Sequence, residues 1–305
     1  MWLSLILTSL FTFVELNCEN LFDTRHDPSK QDMEFLPDGS RRWNGWRYWQ
    51  KVNDVGRAIL ASADELPDVV ALCEVENDSV LCRLTGHSLL RNAGYQYLMT
   101  ESPDVRGIDV ALLYRPARFR PLCYDCITVE PLPDMRPTRD ILYVRGLVAS
   151  GDTLHLFVVH APSRYGGERT TRRHRQQVAR TLLQAVAAIG PDRHIIVAGD
   201  FNDDADSKAL QQLSRAPLTN LTRCANGTHG ARGSYRYKGR WQSIDHILAS
   251  PPLAQKVDTT YVADPPFLLE EDTKYGGVKP RRTFNGYRYQ GGTSDHLPLV
   301  VRFRY

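Results

Sequence analysis

The run His194-Ile195-Ile196-Val197-Ala198-Gly199-Asp200-Phe201-Asn202-Asp203 decides how this chain is read. Residues His194 to Ala198 form an apolar run of strand length, and the chain then passes at once into a glycine, acids and an amide. A buried strand ending in such groups is a rigid support for a site, because ligands of open α/β sheets gather at the carboxyl ends of strands. The pattern recurs at Leu16-Asn17-Cys18-Glu19-Asn20, at Leu72-Cys73-Glu74-Val75-Glu76 and at Val158-Val159-His160-Ala161-Pro162-Ser163. It recurs again in the pair Ser243-Ile244-Asp245-His246 and Thr293-Ser294-Asp295-His296-Leu297-Pro298. Each cluster alone is ordinary: a carboxylate after a strand commonly caps a helix, and Asp203 and Asp206 both suit that role. Together they offer hard oxygen ligands and two separate histidines without a thiolate cluster, a donor set that selects a hard divalent cation, Mg²⁺ or Mn²⁺.

Outward from these clusters, strands are expected at Phe11–Leu16, Val69–Leu72, Val110–Tyr114, Ile141–Val148, Thr153–His160, His194–Ala198, His246–Leu248 and Leu299–Phe303. Such continuous apolar runs suit sheets covered on one or both faces. Helical spacing of Val52, Val55, Ile59 and Leu60 predicts a helix over Tyr48–Ala63. Val178, Leu182, Leu183, Val186 and Ile189 predict a second over Glu168–Ile189, stopped by Gly190-Pro191. A shorter one starts near Asp206, with Leu210 and Leu213 turned inward. With no internal repeat and no linker-like tract, residues 11–305 read as one α/β domain of packed sheets under flanking helices.

Composition narrows the class. The 305 residues are 42% hydrophobic and 24% charged, which excludes disorder and fibrous repeats as the main state. Lys+Arg total 38 against 35 Asp+Glu, a net charge of +3. A general nucleic-acid packaging protein would be far more basic, so any anion-binding surface must be local. No apolar run reaches the roughly 18 residues of an ordinary membrane span. Met1 to Val14 carry no charge and resemble the apolar part of a signal peptide, but no basic residue precedes them and no small-x-small cleavage site follows. Phe11 onward reads as a buried first strand. Residues 1–10 read as an export remnant, a misplaced start or a strand lead-in, which leaves the compartment open, with export as one expectation. Six cysteines in a chain this long do not make a disulfide scaffold. Cys123-x-x-Cys126 lacks a second pair or a nearby histidine, so its role reads as structural or incidental.

The chain resembles the endonuclease/exonuclease/phosphatase superfamily, which includes pancreatic deoxyribonuclease, apurinic endonucleases, bacterial sphingomyelinases and inositol-phosphate 5-phosphatases. The resemblance rests on Leu16-Asn17-x-Glu19-Asn20-Leu21-Phe22, on Glu74 after Val69–Cys73, and on His160-Ala161-Pro162-Ser163. It rests further on Gly199-Asp200-Phe201-Asn202, Ile244-Asp245-His246 and Ser294-Asp295-His296-Leu297-Pro298. These lie in family order over residues 17–298. The resemblance implies a deoxyribonuclease-like four-layered α/β sandwich, two packed sheets with helices outside. It also implies hydrolysis of phosphoesters by in-line attack of water on phosphorus, with a divalent metal offsetting charge on the oxygens.

By the same resemblance, Glu74 is the main metal carboxylate, Asn17 its neutral oxygen partner, and Asp295 a further ligand, direct or through water. His296 is the general base or phosphate-contact histidine, with Asp245 holding its imidazole in one tautomer and raising its pKa. Asp200 orients or deprotonates the attacking water, Asn202 donates to a phosphate oxygen, and His160 stabilises or protonates the phosphate oxygens. Asp109 is the candidate for orienting His160. Ser294 is a candidate substrate contact. Arg139 is a candidate phosphate ligand, its alternative being a surface ion pair with Asp140.

Four basic and aromatic segments, Arg41–Lys51, Arg164–Arg175, Arg232–Trp241 and Lys279–Tyr289, suit binding of phosphates and stacking on bases. A nucleic-acid phosphodiester is therefore the leading substrate class; the alternatives are a phosphatase or phospholipase acting on small or lipid phosphoesters, and a non-catalytic binding member of the fold. No membrane-inserting hairpin, no extended 5-phosphatase signature and no tyrosine beside His160 are found, so the chain looks most like the broad bacterial branch with an Asn-x-Glu-Asn-Leu-Phe start.

Overall fold

The computed structural model describes residues 10–164 and 167–305. The expected export remnant therefore lies outside the described residues, apart from Leu10, which starts the first strand. In chain order the strands begin with β1 (Leu10–Leu21), β2 (Val69–Val75), β3 (Gln96–Met99), β4 (Asp109–Tyr114), β5 (Phe119–Ile127) and β6 (Ile141–Val148). They continue with β7 (Thr153–His160), β8 (His194–Asp200), β9 (Thr219–Asn220), β10 (Tyr235–Tyr237), β11 (Arg240–Gln242) and β12 (Asp245–Ala249). The last are β13 (Val257–Val262), β14 (Leu269–Glu271), β15 (Val278–Pro280), β16 (Phe284–Asn285), β17 (Arg288–Tyr289) and β18 (Leu299–Arg304). The helices are α1 (Gly45–Leu60), α2 (Asp78–His87), α3 (Glu168–Ile189), α4 (Lys208–Leu213) and α5 (Pro251–Ala254).

Twelve strands form two six-stranded sheets, in the orders β13-β18-β1-β2-β4-β3 and β5-β6-β7-β8-β12-β9. Each is mixed: β1 runs parallel to β2 and β7 parallel to β8, while the other pairs are antiparallel. The sheets face each other, and this sandwich with helices outside is the four-layered architecture expected from the sequence. Strand alternation builds the layers. On β7, Leu154, Leu156 and Val158 enter the core between the sheets, whereas Phe157 and Val159 pack outward against Val178, Leu182 and Val186 of α3. β1 is buried from Phe11 to Cys18, because the second sheet covers one face and α1 the other.

The expected strands all form, several of them longer than expected at the end that carries polar residues. α1 starts at Gly45 rather than Tyr48, since Asn44 caps it by accepting from the Arg47 amide. α3 has the expected bounds and stops at Gly190, whose φ is 95°. Ser207, not Asp206 or Asp203, caps α4. The sequence reading passed over α2, a short polar helix capped by Asn77, and the strands β3, β5 and β13. β5 sits at a sheet edge with exposed Leu122, Cys123 and Tyr124, so no apolar alternation marks it. Cys123 and Cys126, both on β5, are free thiols. No helix among the described residues is long and apolar enough to cross a membrane.

Candidate active site

Strand register brings the first three site residues together. His160 ends β7 opposite Asp200, the last residue of parallel β8, and Asp200 faces Asp245 at the start of antiparallel β12. Gly199 makes this approach possible: its φ is 143°, and an added Cβ would stand 1.8 Å from the Val159 carbonyl oxygen. The other sheet supplies its residues through irregular pairing. The register shifts between Asn17 and Leu21 on β1 and between Cys73 and Val75 on β2, as at a β-bulge. Glu19, Asn20 and Glu74 there, and Asn202 after β8, have left-handed φ values of 49–62°. Non-glycine residues rarely adopt that conformation, and here all four line one cavity.

The cavity measures about 830 Å³ and is lined by Glu74, His160, Asp200, Asn202, Asp295 and His296, among others. His296 Nδ1 lies 2.8 Å from Asp245 Oδ2, which also accepts from Ser234 Oγ at 2.5 Å. His160 Nε2 lies 3.6 Å from Glu74 Oε1 and 3.7 Å from Asp200 Oδ2. Asp200 Oδ1 accepts from the Asn202 amide at 2.7 Å, and its Oδ2 accepts from Asn17 Nδ2 at 3.0 Å and Asn202 Nδ2 at 3.1 Å. The Asn17–Asp200 bond ties one sheet to the other directly beneath the cavity.

The two histidines are set to opposite charge states. Burial opposes the charged form of His296, but Asp245 beside it more than offsets this and holds the imidazolium well above the usual histidine range. Burial, then the Arg139 and Arg106 charges, hold His160 well below that range. His160 is thus a neutral polar group facing Glu74 and Asp200, and not half of an ion pair. Burial, aided by the Asp245 charge, pushes the Asp200 carboxyl up to about 7. Burial likewise pushes Glu19 up to about 7, with Asp295 adding to it and Lys51 and Arg282 opposing.

Several sequence expectations need correction. Asp109 does not orient His160: its Oδ1 accepts from Thr100 Oγ1 at 2.6 Å, from the Ser102 amide at 2.9 Å and from Ser102 Oγ, while His160 Nδ1 has no hydrogen-bond partner among the described residues. Asp109 opens β4, and the loop before that strand folds back onto its carboxylate. Arg139 is neither a cavity cation nor a surface partner of Asp140. It is buried, its Nη1 pairs with Asp104 Oδ2 at 2.8 Å, and its Nη2 donates to the Ala161 carbonyl at 2.9 Å. Ser294 is a brace and not a substrate contact: its Oγ donates to the Asn17 carbonyl at 2.6 Å and accepts from the His296 amide at 3.0 Å. Asn17 lies under the cavity, its own Oδ1 accepting from the Glu19 amide at 2.8 Å.

The carboxylates expected to hold a metal are brought to one place, with different surroundings. Glu74 Oε2 accepts from the Asn20 amide at 2.8 Å, which leaves Oε1 facing the cavity. Asp295 Oδ2 is taken by Arg282 Nη2 at 2.7 Å. The tightest group of acid and imidazole ligand atoms among the described residues is Asp200, Asp245 and His296, all within 4.8 Å of one another. Hard oxygens of this kind fit Mg²⁺ or Mn²⁺, which use few protein carboxylates and keep several waters. The sequence reading flagged Arg282 and Tyr235 only as members of basic and aromatic segments, and it missed Glu15. Tyr235 bridges to His296 with ring centroids 4.9 Å apart. Glu15 is fully buried on β1, and only its position on the same strand face as Asn17 could have flagged it.

The basic and aromatic segments divide between cavity and core. Arg41, Arg164, Tyr235, Tyr237, Arg282 and Phe284 line the cavity. Trp43, Lys51 and Arg175 are fully buried. Tyr165 and Gly166 lie outside the described residues.

Two packed mixed sheets with acids, amides and two imidazoles at their strand ends define a deoxyribonuclease-like sandwich built around one polar cavity. The chain belongs to the Endonuclease/Exonuclease/phosphatase family, whose pattern matches residues 12–305. Among solved structures it is similar to an endonuclease/exonuclease/phosphatase family protein from Bacteroides thetaiotaomicron, at 16% identity and a TM-score of 0.65, covering 97% of this chain and 95% of that one. It is similar to a mannosyl-6-phosphatase of the same organism, at 17% identity and a TM-score of 0.63, covering 95% and 98%. It is also similar to D. rerio TDP2 complexed with single strand DNA product, at 18% identity and a TM-score of 0.57, covering 97% and 100%. No curated protein matches the chain in sequence.

Proposed function

We propose that this protein hydrolyses phosphoester bonds by in-line attack of water with the help of a divalent cation, and that its leading substrate is a nucleic-acid phosphodiester. The observation that carries the reading is the convergence of Glu74, His160, Asp200 and the Asp245–His296 pair on one cavity from both sheets. Glu74 and Asp295 would hold a Mg²⁺ or Mn²⁺, which would offset charge at the phosphoryl oxygens, while Asn17 beneath them fixes Asp200. Asp200, with its carboxyl raised toward neutrality and both oxygens fixed by Asn17 and Asn202, orients the water and takes its proton. His296 enters charged and donates to a phosphate oxygen, so of its two expected roles phosphate contact is the one favoured. His160 adds a neutral Nε2 donor opposite, and Asn202 orients Asp200 in addition to contacting the phosphate. Positioned donors of this kind each contribute roughly 10²–10³ in kcat.

Arginines and tyrosines around the cavity, and the TDP2 likeness, support a nucleic acid. The cavity's volume favours a second reading, a phosphatase of a small sugar or nucleotide phosphate, because about 830 Å³ falls within the size of small-molecule sites. Incubation with plasmid DNA, single-stranded RNA, bis-(p-nitrophenyl) phosphate, mannose 6-phosphate and sphingomyelin, each with Mg²⁺ and with EDTA, separates the readings. Nucleic-acid cleavage abolished by EDTA is expected. Turnover of the sugar phosphate alone selects the second reading, and cleavage that survives EDTA counts against both.

A further inference from the structure

We infer that Arg106 is the anchor for the substrate's phosphoryl group, a specificity residue on the His160 side of the cavity. The inference rests on the phosphoester reading above and adds to it the cation that reads the substrate's charge. Among the described residues four arginines line the cavity, and three of them are paired with carboxylates. Arg41 pairs with Glu34 at 3.0 Å, Arg164 with Asp204 at 2.8 Å, and Arg282 with Asp295 at 2.7 Å. Arg106 is exposed and, among the described residues, has no carboxylate partner. Its Nη2 donates instead to the neutral Asn20 Oδ1 at 2.7 Å. Asn20 is in turn fixed by its amide on Glu74 Oε2 at 2.8 Å. A neutral tether sets where the guanidinium sits without cancelling its charge.

The loop that carries Arg106 is built to hold it. Asp104, nearly fully buried, accepts from the Arg106 amide on Oδ1 at 2.7 Å and pairs on Oδ2 with buried Arg139 at 2.8 Å. Lys30 Nζ donates to the carbonyls of Ser102 at 2.7 Å and Asp104 at 3.2 Å, and the Gln31 amide donates to the Val105 carbonyl at 2.7 Å. Gly107 closes the turn at a φ of 76°. Buried Arg139, which the sequence suggested as the phosphate ligand, thus supports the loop that presents the exposed one. A planar guanidinium with free N–H groups matches the non-bridging oxygens of a phosphoryl group, and such charge-assisted bonds are about twice as strong as neutral ones.

The test is calorimetric titration of inorganic phosphate into the full chain in EDTA, beside steady-state kinetics on bis-(p-nitrophenyl) phosphate with Mg²⁺. Arg106→Ala and Arg106→Gln are compared with wild type and with Arg120→Ala, an exposed arginine on edge strand β5 away from the cavity, and folding is checked by circular dichroism. Glutamine keeps a donor for Asn20 and drops the charge, so it separates anchoring from bracing. The expected result is at least tenfold weaker phosphate binding in both Arg106 variants and under threefold in Arg120→Ala, with KM carrying most of the kinetic loss. Phosphate binding within threefold of wild type in Arg106→Gln, or no phosphate binding by wild type, overturns the anchor. Phosphate binding that depends on Arg106 in a protein that turns over no phosphoester defeats the hydrolysis reading and leaves the anchor standing. Unchanged kinetics and binding in both Arg106 variants do the reverse.

Discussion

His296 is charged because Asp245 stands 2.8 Å from its Nδ1. Its folded-state pKa lies above the ordinary value of 6.5, so the pair adds stability that is fully present below that value and is lost as pH rises through the folded one. Asp245→Asn removes the offset to burial. The variant should lower kcat by about 10²–10⁴ and move the alkaline limb of the pH–rate profile toward acid, measured on the same substrate from pH 5 to 9. Glu15 gives the same slope with pH from the opposite cause, a charged form that is penalised rather than favoured. Burial, then the Asp245 and Asp200 charges, raise its carboxyl well above 4.5, and its Oε2 has no partner. Folding therefore takes up a proton there, and stability falls as pH rises from about 4.5 through the folded value. Glu15→Gln should add about 1–2 kcal/mol at pH 8 and little at pH 4, read from urea titrations at both.

At the level of elements, the site depends on close backbone approach and on buried braces. β7 and β8 touch at Gly199, where an alanine Cβ would overlap the Val159 carbonyl and meet a φ of 143°. Gly199→Ala should cost about 4 kcal/mol or more, or leave the protein insoluble, in denaturant titration. α1 reaches the site through Lys51, fully buried in the helix's apolar stripe. Its Nζ donates to the Glu19 carbonyl at 3.2 Å, to Thr283 Oγ1 and to the Thr293 carbonyl, so it joins α1 to β1 and to the segment leading to Asp295. Lys51→Met should cost about 2–4 kcal/mol, because it strands those acceptors and removes one of the two cations, with Arg282, that offset the burial of Glu19. The spacing Tyr48, Lys51, Val52, Val55 displays that lysine within an apolar face, so its burial was legible. Arg106 left no such mark: nothing in Asp104-Val105-Arg106-Gly107 says which cation stays unpaired until Lys30, Arg139 and Asn20 are placed around it.

Across the whole molecule, the cavity draws polar side chains from both sheets, and a cation bound among them should couple site and fold. Mg²⁺ at millimolar concentration should raise the Tm of wild type, and EDTA should reverse the shift and abolish turnover. Glu74→Gln should lose both responses while keeping its circular dichroism spectrum. The sequence by itself determined the architecture and most of the candidate site. Period-two apolar strands, two amphipathic helices and the polar strand ends of Asn17, Glu74, His160, Asp200, Asp245 and His296 are local patterns, and local patterns persist whatever the rest of the chain does. Only the tertiary structure decided which polar groups remain available to a ligand. Asp109, Arg139 and Ser294 have the right chemistry and the right neighbourhood, but Ser102, Asp104 and Asn17 take them up. A hydrogen-bonding group engages whichever partner folding brings within about 3 Å, and burial then makes that choice binding, since an unpaired polar group in the core costs about 1–3 kcal/mol.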